Sequence, residues 1–176
     1  MSTRTVMHDA DIARALTRIS HEILESNKGP EGLVLLGIPT RGVTLAERIA
    51  PLISEFGGAA VPVGALDVTM YRDDLHRNPT RAPQTTRIPA GGIDGKVVVL
   101  IDDVLFSGRS IRAALDALQD IGRPAAVRLA TLIDRGHREL PIRPDFVGKN
   151  LPSARDERVN VRLAEVDGIE EVTIES

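Results

Sequence analysis

The run Val97-Val98-Val99-Leu100-Ile101-Asp102-Asp103-Val104-Leu105-Phe106-Ser107-Gly108-Arg109-Ser110 packs residue types that do chemistry into one short stretch. Apolar residues lead into two adjacent carboxylates, and Ser-Gly-Arg-Ser follows shortly after. The pattern predicts a buried strand over Val97–Ile101, a short loop, and a helix over Gly108–Asp120. The free backbone amides and positive dipole end of a helix start make an anion site that suits phosphate. Ser107 and Ser110 add hydroxyl donors there, and Gly108 lets the backbone approach a ligand closely. Carboxylates beside phosphate would repel it unless they serve another part of the ligand. Sugar hydroxyls are donors that Asp102 and Asp103 accept from, so one ligand with a sugar and a 5′-phosphate satisfies the whole segment. A plain strand–turn–helix with capping residues is the bland alternative, and the length of the pattern outweighs it.

These groups need a scaffold. Ile12, Leu16, Ile19 and Ile23 form an apolar stripe at helical spacing within Asp9–Lys28, with Asp9 as the expected cap and Gly29-Pro30 as the stop. Leu33–Leu36 reads as a strand buried on both faces. Gly37–Gly42 reads as a loop, and a helix carrying Leu45, Ile49, Leu52, Ile53 and Phe56 follows. Val61–Val68 is expected as a second strand and Val127–Ile133 as a fourth. Shorter strand-like pieces lie around Phe146, Val159–Leu163 and Val172–Ile174. Alternating strands and helices imply an α/β fold with a parallel core sheet and right-handed crossovers. Ligands of such sheets bind beyond the carboxyl ends of the strands, which places Asp102 and Asp103 at a crevice. Residues 71–96 lack hydrophobic periodicity and read as a long functional loop or a linker.

Composition narrows the function. The chain has 176 residues and a formal net charge of −3, so any nucleic-acid binding needs a local basic patch. Phe56, Phe106, Phe146 and Tyr71 are the only aromatic residues, too few for a base-stacking platform. There is no cysteine, which excludes disulfides and thiolate chemistry. His8, His21, His76 and His137 show no metal-ligand spacing. No apolar run approaches the ~20 residues of a membrane span, the first residues form no signal peptide, and a cytoplasmic protein is expected.

The Val97–Ser110 segment resembles the motif by which type I phosphoribosyltransferases bind 5-phosphoribosyl-1-diphosphate (PRPP). The resemblance implies that Asp102 and Asp103 hold the ribose 2′- and 3′-hydroxyls. It implies that Val104, Leu105, Phe106, Ser107, Gly108, Arg109 and Ser110 wrap the 5-phosphate, and that Mg²⁺ arrives on the diphosphate without a direct protein metal site. Gly37-Ile38-Pro39-Thr40-Arg41-Gly42 fits as the diphosphate loop, with Thr40 and Arg41 as ligands, Arg41 as a fork donor, and a cis peptide expected at Thr40-Arg41. Tyr71-Arg72-Asp73-Asp74 would open a lid over about 71–96. Arg72, with Arg81 or Arg87, would screen the departing diphosphate, so Arg41, Arg72, Asp102 and Asp103 are the expected catalytic residues. Purine-specific relatives usually carry Asp where this chain has Phe106, which argues against hypoxanthine or guanine.

Further motifs are similar to the PyrR family of pyrimidine operon attenuation regulators. They are Leu16-Thr17-Arg18-Ile19-Ser20-His21-Glu22, Tyr71-Arg72-Asp73-Asp74, Leu132–Ile142 and Phe146-Val147-Gly148-Lys149-Asn150. The resemblance spans nearly the whole chain. It implies one phosphoribosyltransferase domain over 1–176, with a hood from about 134–158 and the terminal segments, and Arg135 at the nucleotide. It implies transfer of uracil to PRPP, giving UMP and diphosphate, and RNA binding to the leader of pyrimidine mRNA under UMP or UTP control. A homodimer or higher homo-oligomer without a membrane partner is expected. Arg14, Thr17, Arg18 and His21 fall on one face of the first helix. With His137, Arg138, Arg143 and Lys149 they would form the RNA surface. On residue types alone, that face reads as solvated side chains rather than as an RNA surface. An enzyme without an RNA role, and a regulator without useful catalysis, are the alternative readings.

Overall fold

The computed structural model describes residues 2–73 and 85–176. Asp74, His76, Arg81 and the remainder of the expected lid core therefore lie outside the described residues. Five strands build one parallel sheet: β2 (Leu33–Gly37), β3 (Val63–Ala65), β4 (Val97–Leu105), β5 (Ala126–Asp134) and β6 (Phe146–Asn150), in the order β3-β2-β4-β5-β6. β1 (Thr3–Met7), β7 (Arg158–Arg162) and β8 (Glu171–Glu175) form a separate antiparallel sheet in the order β1-β8-β7.

The continuous apolar strands are explained by burial on both faces. Leu33, Leu35, Val99, Ile101, Ala130 and Leu132 point to the core shared with α1 (Asp9–Asn27) and α2 (Arg41–Gly57). The alternate residues Val34, Leu36, Val98, Leu100 and Leu129 point to the core of α3 (Arg109–Gln119), filled by Ile111, Ala114 and Leu118. Period-2 alternation between two apolar cores leaves no polar face on these strands. The small sheet closes the α1–α2 core with Met7, Val161, Leu163 and Val172.

Several boundaries differ from expectation. Asp9 does not cap α1: His8 occupies the N-cap, and the Asp11 carboxylate accepts its amide at 2.9 Å. Lys28 ends the helix in the left-handed region at φ 57°. The expected strand Val61–Val68 shrinks to Val63–Ala65, because Leu36 and Gly37 are its last partners on β2. β1 has no apolar alternation to announce it; its side chains are mostly exposed, and pairing with β8 alone makes it a strand. Ile93, within the long segment that lacks hydrophobic periodicity, is 2% exposed and joins the α3 core. No helix among the described residues is long and apolar enough to cross a membrane.

Arg48 of α2 ties the short helix α4 (Ala164–Asp167) to the scaffold. It bonds Glu165, and its Nη1 reaches Glu170 at 2.5 Å. The Arg48 guanidinium holds both carboxyls below the usual glutamate range. Lowered folded-state values mean that this stabilisation is present above the ordinary glutamate range and fades as pH falls through the depressed values. Arg48→Ala is therefore expected to reduce the loss of stability on acidification, and urea unfolding at neutral and acid pH checks it.

Candidate active site

The strand order reverses between β2 and β4, with β3 beyond one and β5 beyond the other. A crevice forms at such a switch point because the connections leave in opposite directions. A cleft of about 350 Å³ lies here, lined by Thr40, Arg41, Asp67, Arg72, Asp102, Asp103 and Ser110 among others. The two acids were expected at the end of the strand, before a short loop, and the strand in fact continues past them. β4 runs on through Asp102 and Asp103 to Leu105, paired with β5 as far as Leu105↔Asp134. β2 has already ended at Gly37↔Ile101. From Asp102 onward, one edge of β4 is thus uncovered and opens to the cleft.

Local hydrogen bonds set the acids in place. Asp102 Oδ1 accepts the Asp103 amide at 2.9 Å, and Asp103 Oδ1 accepts the Val104 amide at 2.8 Å. Asp102 is 9% exposed. Gly108 caps α3 at φ 96°, a left-handed conformation that favours glycine. The Ser107 hydroxyl accepts the Arg109 amide at 3.3 Å. The first turn of α3 thereby faces the acids across the cleft, with Ser110 in its lining.

On the opposite wall, the turn between β2 and α2 carries a cis peptide at Pro39-Thr40. This is one bond earlier than the Thr40-Arg41 position expected, because α2 already begins at Arg41. Arg41 lines the cleft, but its fork also engages Asp167. Asp67 was missed as a cleft residue because it was assigned to the strand expected over Val61–Val68, which ends at Ala65, and Thr69, just beyond that span, carried no assignment. Asp67 Oδ1 accepts the Thr69 hydroxyl at 2.7 Å and its amide at 3.2 Å.

The 135–142 segment is stitched onto the Phe106–Gly108 turn. Glu139 and Leu140 donate their amides to the Ser107 carbonyl at 2.9 and 3.2 Å. Arg138 donates to the Phe106 carbonyl at 3.1 Å, to the Ile142 carbonyl at 2.8 Å and to Asp134 at 2.6 Å. Arg135 is buried and spends its guanidinium on Ser153 Oγ and the carbonyls of Ala154 and Glu157. Burial pushes it below the ordinary guanidinium value. Its guanidinium carbon lies 4.2 Å from the Phe106 ring centre, and the His137 ring meets Phe106 edge-on at 5.8 Å. His137 Nε2 lies 2.6 Å from the Ser153 carbonyl oxygen. Arg135 and His137 thus hold the Phe106 ring, and Arg138 holds its carbonyl. Arg109 turns its side chain to Asp73 at 2.6 Å and Glu139 at 2.9 Å. Arg87 lies 3.6 Å from Glu47.

The expected basic surface divides. Arg14, Arg18 and Lys149 line one groove between α1 and β6, and Thr17 and His21 continue the α1 face. Arg18 donates to the carbonyls of Val147 and Gly148 at 3.0 and 2.6 Å and pairs with Glu22. Arg14 pairs with Asp11 at 2.6 Å. The His21 ring stacks on Phe56 with centroids 4.0 Å apart. His137 and Arg138 are instead held beside Phe106. Arg143 lies between β5 and β6.

A crevice at the switch point, with paired acids facing an anion-binding turn, defines a phosphoribosyltransferase. The phosphoribosyl transferase domain model matches residues 4–164, so the chain belongs to that family. Within it the chain belongs to the PyrR family. It is 72% identical to the bifunctional protein PyrR of Leifsonia xyli, over 99% of this chain and 98% of the relative. It is 63% identical to that of Streptomyces coelicolor, over 97% and 89%. Among solved structures it resembles the hypoxanthine phosphoribosyltransferase of Trypanosoma cruzi, with a TM-score of 0.75 at 15% identity, covering 98% and 94%. At that identity the likeness shows the fold alone.

Proposed function

We propose that this protein transfers the phosphoribosyl group of PRPP to uracil, giving UMP and diphosphate, and that UMP-dependent RNA binding regulates pyrimidine genes. The observation that carries the enzymatic reading is the cleft that sets Asp102 and Asp103 against the α3 N-terminus and the Thr40-Arg41 turn. In this reading Asp102 and Asp103 accept from the ribose hydroxyls and the Val104–Ser110 turn holds the 5-phosphate. Thr40, Arg41 and Arg72 meet the diphosphate. Phe106 presents an apolar ring to the base and carries no proton to exchange with a purine. Backbone groups over 133–138 read the pyrimidine edge, and Arg135 acts through Phe106. Displacement at C1′ needs positioning and charge stabilisation more than a general base.

Oxygen donors are what Mg²⁺ takes, and Asp67, Asp102 and Asp103 supply them around the cleft. Bound there, Mg²⁺ would offset the charge of the departing diphosphate.

The RNA reading rests on the α1 face and on the family's bifunctional members. Arg14, Thr17, Arg18, His21 and Lys149 form its centre, with Arg143, His137 and Arg138 nearer the nucleotide. Exposed Met70, Leu115 and Ile169 offer apolar surface for a homodimer or larger assembly. Nucleotide substrates and leader RNA place the protein in the cytoplasm.

The direct test is binding of the organism's own pyrimidine leader RNA, with and without UMP, at two salt concentrations, beside a uracil transfer assay. UMP-enhanced, salt-sensitive binding together with UMP formation is expected. Transfer without RNA binding leaves the enzyme reading alone. Arg18→Ala with His21→Ala is expected to spare transfer and weaken RNA binding about tenfold or more, with a shallower salt slope. The same variant loses the carbonyl contacts of Arg18, and a stability cost of about 1–3 kcal/mol follows. Unchanged RNA affinity across the salt titration rejects this face.

A further inference from the structure

Asp167 closes the short helix α4, far along the chain from the diphosphate turn, yet its carboxylate grips Arg41. Arg41 Nε donates to Oδ2 at 3.1 Å, and Nη2 donates to Oδ1 at 2.6 Å. The carboxylate is itself anchored, since Oδ2 also accepts the Leu163 amide at 2.8 Å. The α4 turn is held to α2 a second time through Arg48, which bonds Glu165 and Glu170. Arg41 and Arg48 lie two helical turns apart and share one face of α2. On its other side Arg41 lines the cleft, close enough to Asp103 for the carboxylate to favour its charge.

A guanidinium is a planar fork with donors on two edges. Asp167 takes the Nε/Nη2 edge, which leaves the Nη1 side for a second anion. We propose that Asp167 is a positioning residue for the diphosphate, holding the Arg41 fork so that its Nη1 side serves the diphosphate end of the cleft. This inference rests on the reading of Arg41 as a diphosphate ligand.

The physical gain is preorganisation. A solvated arginine has a large rotamer entropy to lose when it grips an anion. A bidentate pair made before the ligand arrives has already ordered the side chain, so less freedom is lost on binding. The negative charge of Asp167 opposes diphosphate only weakly, because Arg41 and the Leu163 amide already compensate it.

The test compares the wild type, Asp167→Asn and Arg41→Gln for binding of inorganic diphosphate, PRPP and UMP by calorimetry in the presence of Mg²⁺. UMP carries the base, ribose and 5′-phosphate but no diphosphate. Asp167→Asn keeps a side-chain oxygen for the Leu163 amide. It is expected to weaken diphosphate and PRPP about tenfold and to change UMP by less than about twofold. KM for PRPP rises more than kcat falls. Unchanged or tighter diphosphate binding overturns the proposal, and so does a UMP loss equal to the diphosphate loss, which marks general disruption. If Arg41→Gln loses diphosphate affinity while Asp167→Asn does not, this inference alone falls. If neither does, the reading of Arg41 falls with it.

Discussion

Replacing Asp102 and Asp103 together by alanine is expected to abolish PRPP binding and lower kcat/KM for uracil transfer by about 100- to 10,000-fold. A hydrogen bond to a charged group contributes about 1.5–3 kcal/mol. Two carboxylates on two ribose hydroxyls thus contribute roughly 3–6 kcal/mol, and each 1.4 kcal/mol is a factor of ten. The fold should survive. Asp102 and Asp103 each accept the amide of the next residue in the chain. The β4–β5 ladder around them is made by backbone. Removing two neighbouring negative charges also relieves their mutual repulsion. Calorimetric titration with PRPP, beside urea unfolding, checks both halves. Normal transfer by a folded double mutant would remove these acids from the site.

Gly37→Ala and Gly42→Ala should each cost about 3 kcal/mol or more of stability, the upper end for overpacking a close-packed site, and should also lose PRPP binding. A Cβ at Gly37 falls under 3.0 Å from the Gly42 carbonyl and the Val43 Cα in the first turn of α2. A Cβ at Gly42 falls under 3.0 Å from the Ile101 carbonyl oxygen of β4. The clashing atoms are backbone and cannot rotate away. Relief requires the 38–43 turn to move off β4, which separates Thr40 and Arg41 from Asp102. For a chain of this length, a melting temperature lower by about 6–12 °C follows. Thermal melts with and without PRPP read it. Small melting shifts in both variants, with PRPP stabilisation intact, would show that the turn has slack that the packing does not reveal.

The same glycines show why the diphosphate turn was only partly legible from its residues. Gly-Ile-Pro-Thr-Arg-Gly after a strand reads as a candidate anion-binding turn, because backbone amides at a strand–helix junction follow from local chain geometry. That both glycines are required by close approach to other backbone is a tertiary fact. The cis bond at Pro39-Thr40, one place before the expected one, likewise depends on where α2 starts.

The sequence by itself determined the α/β class, the three helices and four strands of the core, and the strand–turn–helix order of Val97–Ser110 with its adjacent acids. Each is written in short-range signals: apolar runs for strands buried on both faces, period-3.6 stripes for helices, and adjacent residues that share one ligand. Its family motifs likewise pointed to the PyrR family before any packing was known. Tertiary structure decided what joins across long separations. β2 ends at the pair Gly37↔Ile101, while β5 stays paired with β4 as far as Leu105, and this opens the edge of β4 beside Asp102. Asp67 and Thr69 leave the sheet and enter the cleft. Arg135 and His137 turn to brace Phe106, while Lys149 joins Arg14 and Arg18. The grip of Asp167 on Arg41 spans 126 positions. No periodicity or spacing encodes such a pair, because it exists only once β7, α4 and β8 have packed against α2.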